Sequence, residues 1–112
     1  MTKIKQRDIV HVGFIFPNSE VKSHYAIVVS NDYLIKDEGF IYLVLITSKD
    51  YNSDYYYELS NEMFLNFNLP KKSYVKCHIL MVTMEHILSS PVGQIKKQYF
   101  DEIIEKIIFS IF

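Results

Sequence analysis

Short apolar runs separated by polar breaks occupy the first two thirds of the chain, a spacing that is typical of β-strands. The segments with this pattern are Asp8 to Phe16, Tyr25 to Ser30, Phe40 to Thr47, Tyr55 to Leu59 and Ser73 to Thr83. The second and third are continuous apolar runs, which favours strands that are buried on both faces. Pro17 and Pro70 interrupt the pattern, so we expect loops at those positions.

The carboxyl-terminal segment has a different period. Its apolar residues recur at helical spacing: Tyr99, Phe100, Ile103, Ile104, Ile107, Ile108 and Ile111. Pro91 and Gly93 break the chain before this helix, and Met84 to Leu88 is at most a short helical turn. No helical pattern separates the early strands, and Asn31 only marks the exit from a strand. We therefore expect a mainly β (α+β) fold, an antiparallel barrel capped by the helix, in one domain over residues 1–112.

The charge balance limits the kinds of partner. Twelve basic and thirteen acidic residues give a net charge of −1, so a nucleic-acid site has to be a local patch. Aromatic residues make up 15% of the chain, with nine Tyr, which favours strands or a binding surface. The chain has one Cys, no apolar leader after Met1 and no run long enough to cross a bilayer. We expect a cytoplasmic protein that does not engage membranes.

Sequence motifs for metal and nucleotide chemistry are absent. There is no CxxC pair, no HExxH, no phosphate-binding Gly-rich loop and no GxSxG elbow. The four His residues are scattered, and the neighbours Cys77 and His78 point to opposite faces of an extended strand. The sequence therefore predicts no metal site and no cofactor.

Three segments, taken in order, carry a family resemblance. They are the run His24-Tyr25-Ala26-Ile27-Val28-Val29-Ser30, the run Leu43-Val44-Leu45-Ile46-Thr47-Ser48 and the run Ser73-Tyr74-Val75-Lys76-Cys77. Together they resemble the PemK/MazF family of toxins from bacterial type II toxin-antitoxin systems, which are small SH3-like barrels of the CcdB/MazF type that cut single-stranded RNA. Asp8-Ile9-Val10 is similar to the family's G-D-I-V start, with Arg7 where Gly is common.

The resemblance implies two catalytic residues and no metal. His24 stands where the family has an Arg that helps to move protons while a ribose 2′-hydroxyl attacks the adjacent phosphate. Thr47 matches the hydroxyl residue that helps to hold the phosphate. An imidazole is able to accept and return a proton where Arg serves mainly as a fixed donor. The structural alternatives are that His24 caps its strand and that Thr47 bonds local backbone.

Further residues are candidates for RNA binding if they face the same cleft. Those candidates are Lys22, Ser48, Lys49, Lys76 and Tyr55, the last with its neighbours Tyr51, Tyr56 and Tyr57. Lysines attract the phosphate backbone, and tyrosine rings stack on the bases of single strands. The alternatives are that these lysines are solvated surface residues and that the tyrosines pack across strands.

Two departures from the family pattern leave the function open between two classes. His24 replaces the usual Arg, and His78 to Thr83 replaces a segment that commonly carries acidic and basic groups. The first hypothesis is a toxin: a growth-inhibiting endoribonuclease (mRNA interferase) that forms a homodimer, binds a cognate antitoxin, and meets DNA only through the antitoxin complex. The second is an inactive member that binds RNA or a protein. A plain structural barrel in an interaction protein is a third interpretation.

Overall fold

Antiparallel strands make up most of the fold. The computed structural model describes residues 3–15 and 21–112, with the backbone alone at 14, 15, 21 and 22. In this part of the chain the strands are β1 (Asp8–Ile15), β2 (Val21–Val28), β3 (Phe40–Thr47), β4 (Tyr56–Leu59), β5 (Phe64–Leu65), β6 (Ser73–Lys76), β7 (Met81–Met84) and β8 (Gly93–Ile95). Their order is β4-β6-β3-β2-β1-β8-β5, and β7 pairs with β3.

Two α-helices accompany the sheet. They are α1 (Asp32–Glu38) and α2 (Lys97–Ile111), with short 3₁₀ turns at Asn61–Met63 and Glu85–Ile87. The predicted mainly β architecture with a carboxyl-terminal helix is thus confirmed. Within the described residues, neither helix is long and apolar enough to span a membrane.

The sheet is covered on both faces, which explains the continuous apolar runs of β2 and β3. On one face Ile27 and Val44 pack with Phe100 and Ile103 of α2. Tyr57 of β4 donates a hydrogen bond of 2.7 Å to Glu102, which ties α2 to the edge of the sheet. Burial, followed by this hydrogen bond, raises the pKa of Tyr57. The phenol therefore stays protonated and keeps donating.

The opposite face has its own core. Ala26 and Val28 of β2 and Leu43 of β3 pack there against Ile35 of α1 and Leu88. Residues of one strand thus alternate between two buried environments, because successive side chains point to opposite faces. The same alternation determines which polar side chains share a face of the sheet at the start of β2 and the end of β3.

The second strand differs from the sequence prediction at both ends. It begins at Val21 and ends at Val28, whereas the apolar run predicts Tyr25 to Ser30. The polar residues Ser23 and His24 are held in the strand by pairing with Gly13 and Val12 of β1. The prediction was wrong because backbone pairing with a neighbouring strand extends a strand beyond its apolar residues. The predicted end of β1 at Phe16 and the loop at Pro17 lie outside the described residues.

Helix α1 is a correction to the expectation that no helix separates the early strands. Its N-cap is Asn31, whose side chain accepts a hydrogen bond of 2.9 Å from the Leu34 amide. Gly39 ends the helix in the left-handed conformation, with φ of 71°. Both residues are capping signals in the sequence. The helix spans only seven residues and buries only Ile35, which is too little for apolar periodicity to reveal it.

The segment Ser73 to Thr83 is not one extended strand, as the sequence predicts, but two. Strands β6 and β7 both pair with β3, at Thr47↔Tyr74 and at Leu43↔Met81. Between them the chain leaves the ladder, and the Cys77 amide donates to the Tyr55 carbonyl at 3.0 Å instead. Apolar composition does not reveal such an interruption, because the bulged residues are as apolar as those in the strands.

Asp8 is expected to make stability depend on pH. Burial raises the pKa of this carboxyl above its ordinary value, although the Lys5 amide at 2.8 Å and the Gln94 side chain at 3.2 Å donate to it. Because the folded state holds the proton more tightly than the unfolded state, the wild type loses stability as pH rises from about 4 through the raised pKa. Relative to the wild type, Asp8→Asn should therefore gain stability over that window.

Urea unfolding at a series of pH values measures this effect, with Asp54→Asn as the control because Asp54 is exposed. Asn keeps an acceptor for the Lys5 amide, and Gln94 is able to flip its amide to match. A difference between wild type and Asp8→Asn that does not change with pH would contradict the prediction.

Candidate active site

A cleft of about 300 Å³ opens at one end of the sheet, where β2 begins and β3 ends. Its polar lining consists of Ser23, His24, Thr47, Ser48, Lys71 and Ser73. A larger groove of about 630 Å³ lies beside α1 and α2, but it is lined by apolar, amide and hydroxyl side chains with Asp101 as its one charged group. An imidazole, hydroxyls and an ammonium group in one cleft make the smaller opening the candidate active site.

Strand register explains why His24 and Thr47 meet. Ala26 of β2 pairs with Leu45 of β3, and both belong to the core on the α1 side. His24 lies two residues before Ala26 in β2, and Thr47 lies two residues after Leu45 in the antiparallel β3. Because side chains two residues apart share a face, these two project side by side where the core ends. The structure thus brings the two predicted catalytic residues together.

The environment of His24 favours one tautomer. Its ring is half-buried, and Nδ1 lies 3.4 Å from the carbonyl oxygen of Ile46. A carbonyl only accepts, so Nδ1 carries the proton in this contact and Nε2 of the neutral ring is the basic nitrogen. Nε2 is shielded from solvent. A ligand therefore reaches this nitrogen only after the ring or the side chains covering it move.

Thr47 is buried at the end of β3, and its hydroxyl already has a local role. Oγ1 accepts a hydrogen bond of 3.2 Å from the Lys49 amide, as the structural alternative predicts. The hydroxyl still carries a proton of its own to donate. Ser48, the next residue, is exposed on the rim of the same cleft. Two adjacent hydroxyls therefore stand beside His24.

Among the predicted RNA-binding lysines, the two whose side chains the structure describes do not line this cleft. The side chain of Lys22 lies outside the described residues, although its backbone is part of β2. Lys49 and Lys76 instead approach the ring of Tyr51. Of the side chains that the structure describes, the cation that lines the cleft is Lys71. Sequence reasoning missed it because it lies in a segment predicted only as a break, although the pair Lys71-Lys72 was a visible basic signal.

The predicted aromatic residue also lies away from the cleft. The Tyr55 ring is 5.4 Å from the ring of His78, centroid to centroid. Cys77 is fully buried with its thiol turned toward the Val75 carbonyl, and burial raises its pKa to about 12. A thiol that stays protonated is a poor nucleophile. Hydroxyl, imidazole and ammonium groups are therefore the chemistry that this end of the sheet offers.

Comparison with protein families decides the identity. Residues 5–111 match the family of PemK-like, MazF-like toxins of type II toxin-antitoxin systems. This chain belongs to that family. The match spans nearly all of the sequence, so it includes all three segments that carry the resemblance. Among curated proteins, none matches the sequence of this PemK/MazF-family chain.

Solved structures have the same fold at low sequence identity. A MazE–MazF structure from Deinococcus radiodurans aligns with a TM-score of 0.74 and 12% identity, over 97% of this chain and 98% of that one. A MazF toxin of Mycobacterium tuberculosis aligns at 0.73 and 12%, over 93% and 95%. A mycobacterial endoribonuclease in complex with its cognate antitoxin aligns at 0.69 and 11%, over 96% and 93%. At these identities the structural likeness shows the fold of the PemK/MazF family.

The structure shows the backbone conformation or the contacts of two residues that depart from the family pattern. Arg7 stands where the PemK/MazF family commonly has Gly, and its φ of 78° is the left-handed conformation that Gly adopts without strain. In the segment that replaces the family's charged residues, His78 packs its ring against Tyr55 and Tyr56. The first departure places a residue with a side chain in the left-handed conformation, and the second places an imidazole in an aromatic surface.

Proposed function

We propose that this protein is the toxin of a type II toxin-antitoxin pair and that it cleaves single-stranded RNA without a metal ion. The observation that carries the proposal is the placement of His24 and Thr47 on neighbouring strands in one cleft of a PemK/MazF-family chain. The imidazole supplies a group that is able to accept and return a proton. The hydroxyls and Lys71 supply donors for a phosphate.

The proposed reaction is an internal transfer within the RNA. His24 Nε2 takes the proton of a ribose 2′-hydroxyl, whose oxygen forms a bond to the adjacent phosphorus while the bond to the 5′-oxygen of the next nucleotide breaks. The leaving 5′-oxygen takes a proton from water, and the imidazolium of His24 returns its proton to the solvent. The products are a 2′,3′-cyclic phosphate and a 5′-hydroxyl. Thr47 and Lys71 stabilise the extra negative charge that develops on the phosphate oxygens. No redox partner is required.

The test is cleavage of a long single-stranded RNA by the purified protein in the presence of EDTA, with the cut ends mapped. We expect cuts at a short recurring sequence that leave cyclic phosphate ends. Intact RNA, with the protein folded, would refute the enzymatic proposal.

Replacing Thr47 by Val is expected to lower kcat by about 10²-fold, because one donor to the developing charge is lost. The free energy of unfolding should fall by only about 1 kcal/mol, since the hydrogen bond from the Lys49 amide is also lost. Thr47→Ser keeps the hydroxyl and should keep most of the activity. Single-turnover cleavage and urea unfolding of both variants measure the two effects. If Thr47→Val cleaves like the wild type, the hydroxyl has only its local structural role.

The proposal includes two protein contacts, a second copy of this chain and a cognate antitoxin. The mycobacterial relative forms a complex with its cognate antitoxin. On this chain, large apolar side chains are exposed at the end of α2, among them Phe109 and Phe112. Exposed apolar clusters of this kind are typical of protein interfaces. DNA would be reached only through the antitoxin complex.

A binding module without catalysis is the second candidate. Its support is the replacement of the family's Arg by His24 and the altered segment after Cys77, whose His78 packs into an aromatic cluster. This candidate predicts RNA or antitoxin binding with no cleavage under the EDTA conditions above. The same assay therefore separates the two candidates.

A further inference from the structure

A second group of aromatic and basic side chains lies outside the cleft. We call it the Tyr51 cluster, and it consists of Lys49, Tyr51, Tyr55, Tyr56, Lys76 and His78. The ring centroids of Tyr51 and Tyr56 are 4.9 Å apart, and Tyr56 is 5.3 Å from His78. Tyr51 and Tyr55 remain 43% and 46% exposed. The cluster is therefore a connected aromatic surface that solvent still reaches.

Two ammonium groups lie close to one ring of this surface. Lys49 Nζ lies 4.8 Å and Lys76 Nζ 5.3 Å from the centroid of the Tyr51 ring. Within the part of the chain that the structure describes, ion pairs form at Lys72 with Glu58 and at Lys97 with Asp101, and neither cluster lysine takes part in one. Because both ammonium groups are close to the same ring centroid, they lie within about 10 Å of each other, a range in which like charges repel. An anion between them would relieve that repulsion.

The nearest acidic residue in the sequence does not supply this anion. The Asp50 carboxylate accepts a hydrogen bond of 2.8 Å from the Asn52 amide and lines a neighbouring groove with Tyr56, Glu58 and Lys72. The cluster thus offers an anion site, formed by Lys49 and Lys76, beside the ring of Tyr51. A nucleotide presents a flat base and a phosphate together, whereas an acidic peptide presents charge without a ring.

The cluster and the cleft share one face of the sheet. Thr47 pairs with Tyr74 of β6, and Lys76 lies two residues further along β6 on the same face, opposite Tyr56 of β4. The backbone of Lys76 is therefore about 8 Å from that of Thr47 across the sheet. A strand of RNA in the cleft has to cross only β6 to reach the Tyr51 cluster.

We propose that the Tyr51 cluster is a second nucleotide subsite, which stacks a base flanking the cleavage site on an exposed tyrosine ring and holds its phosphate between Lys49 and Lys76. The inference rests on the proposed RNA function. Lysine stems are flexible, so an ammonium over the ring is able to swing to a phosphate as the base takes its place. The cluster contributes affinity for a longer strand, while the reaction takes place in the cleft.

Tyr51→Leu tests the stacking, with Tyr33→Leu as the control because Tyr33 is 81% exposed on α1. The substrate is a single-stranded oligonucleotide that contains the mapped cleavage site. We expect KM to rise about tenfold in Tyr51→Leu, with kcat within about twofold of the wild type. The control should leave both values unchanged.

Lys49→Gln and Lys76→Gln test the phosphate contact. The dependence of log K on log salt concentration should become shallower by about 0.7 for each lysine removed. Lys97→Gln is the matched control, because that lysine is paired with Asp101 on α2. An unchanged salt slope in the cluster variants would overturn the phosphate contact.

Three other outcomes would overturn the proposal. An unchanged KM in Tyr51→Leu refutes stacking of a base on this ring. If Tm also falls, the Tyr51 ring contributes to packing and not to RNA binding. Weaker binding of an acidic antitoxin peptide with unchanged RNA affinity makes the cluster a protein surface. If the wild type does not cleave, fluorescence anisotropy with the same RNA replaces the kinetic assay. Weaker RNA binding by Tyr51→Leu would then support the subsite although the enzymatic proposal has failed. If the wild type does not bind the RNA, both the subsite and the enzymatic proposal are refuted.

Discussion

Replacing His24 by Ala is expected to lower the rate of RNA cleavage by about 10²- to 10⁴-fold, the range typical of a lost general base. The ring is half-buried at the edge of the sheet, and its Nδ1 makes a long hydrogen bond of 3.4 Å to the Ile46 carbonyl. Its removal should therefore change the free energy of unfolding by only about 1 kcal/mol. The measurements are single-turnover cleavage rates and Tm for the same preparations.

His11→Ala is the matched control. His11 lies on the neighbouring strand β1, opposite Tyr25, and its side chain is exposed outside the cleft. It should cleave RNA at the wild-type rate. A large fall in Tm with cleavage intact in His24→Ala would show instead that His24 is a structural residue.

The pH profile separates a base from a fixed donor at the same position. An imidazole accepts a proton only when it is neutral, so wild-type cleavage should fall as pH decreases. His24→Arg restores the residue usual in the family, and its guanidinium keeps its charge throughout this range. We expect His24→Arg to retain cleavage without the loss at acid pH. Identical profiles for the two proteins would exclude proton transfer by His24.

Replacing Gly93 by Ala is expected to lower the free energy of unfolding by about 3 kcal/mol, at the upper end of the cost of overpacking. A Cβ at this position would stand 2.3 Å from Cβ of Phe67 and 3.1 Å from the Leu65 carbonyl oxygen. A rotation of the Phe67 side chain does not move its Cβ out of the way, and the ring packs edge-on against Tyr25 at 5.0 Å and Phe64 at 5.2 Å. The pairing of β8 with β1 and β5 would have to shift instead.

Gly39→Ala provides the comparison. A Cβ there meets only Cε of Met84 at 3.8 Å, so the cost is that of the left-handed conformation, about 1 kcal/mol. Urea unfolding of both variants measures the difference between steric overlap and backbone strain. The close approach at Gly93 would be refuted if Gly93→Ala lost no more stability than Gly39→Ala.

The strands and the long helix were predictable where periodicity is strong. Phe40–Thr47 was predicted at both of its bounds, because a strand buried on both faces is apolar at nearly every position. Helix α2 was predicted because its stripe recurs over fifteen residues. Helix α1 and the break between β6 and β7 were missed, since a short helix has little periodicity and a bulge depends on the neighbouring strand.

The candidate site was predicted only in part. The family resemblance pointed to His24, Thr47 and Ser48, and the structure places them around one cleft. Lys71 also lines the cleft, but it was not predicted because its segment carries no motif. Lys49 and Lys76 were predicted as RNA contacts of the same opening, but their ammonium groups lie over Tyr51 instead. Sequence shows that a lysine is present, whereas the path of the loop decides what its charge faces.

By itself, the sequence determined the mainly β class, the terminal helix and, through resemblance, the family and its two central residues. These features depend on local periodicity and on short ordered motifs, which a linear chain displays directly. Only the tertiary structure decided that His24 and Thr47 share a face and that the Tyr51 cluster continues it across β6. The reason is physical: strand register and loop closure set which distant side chains meet, and a shift of one residue would turn them to the other face.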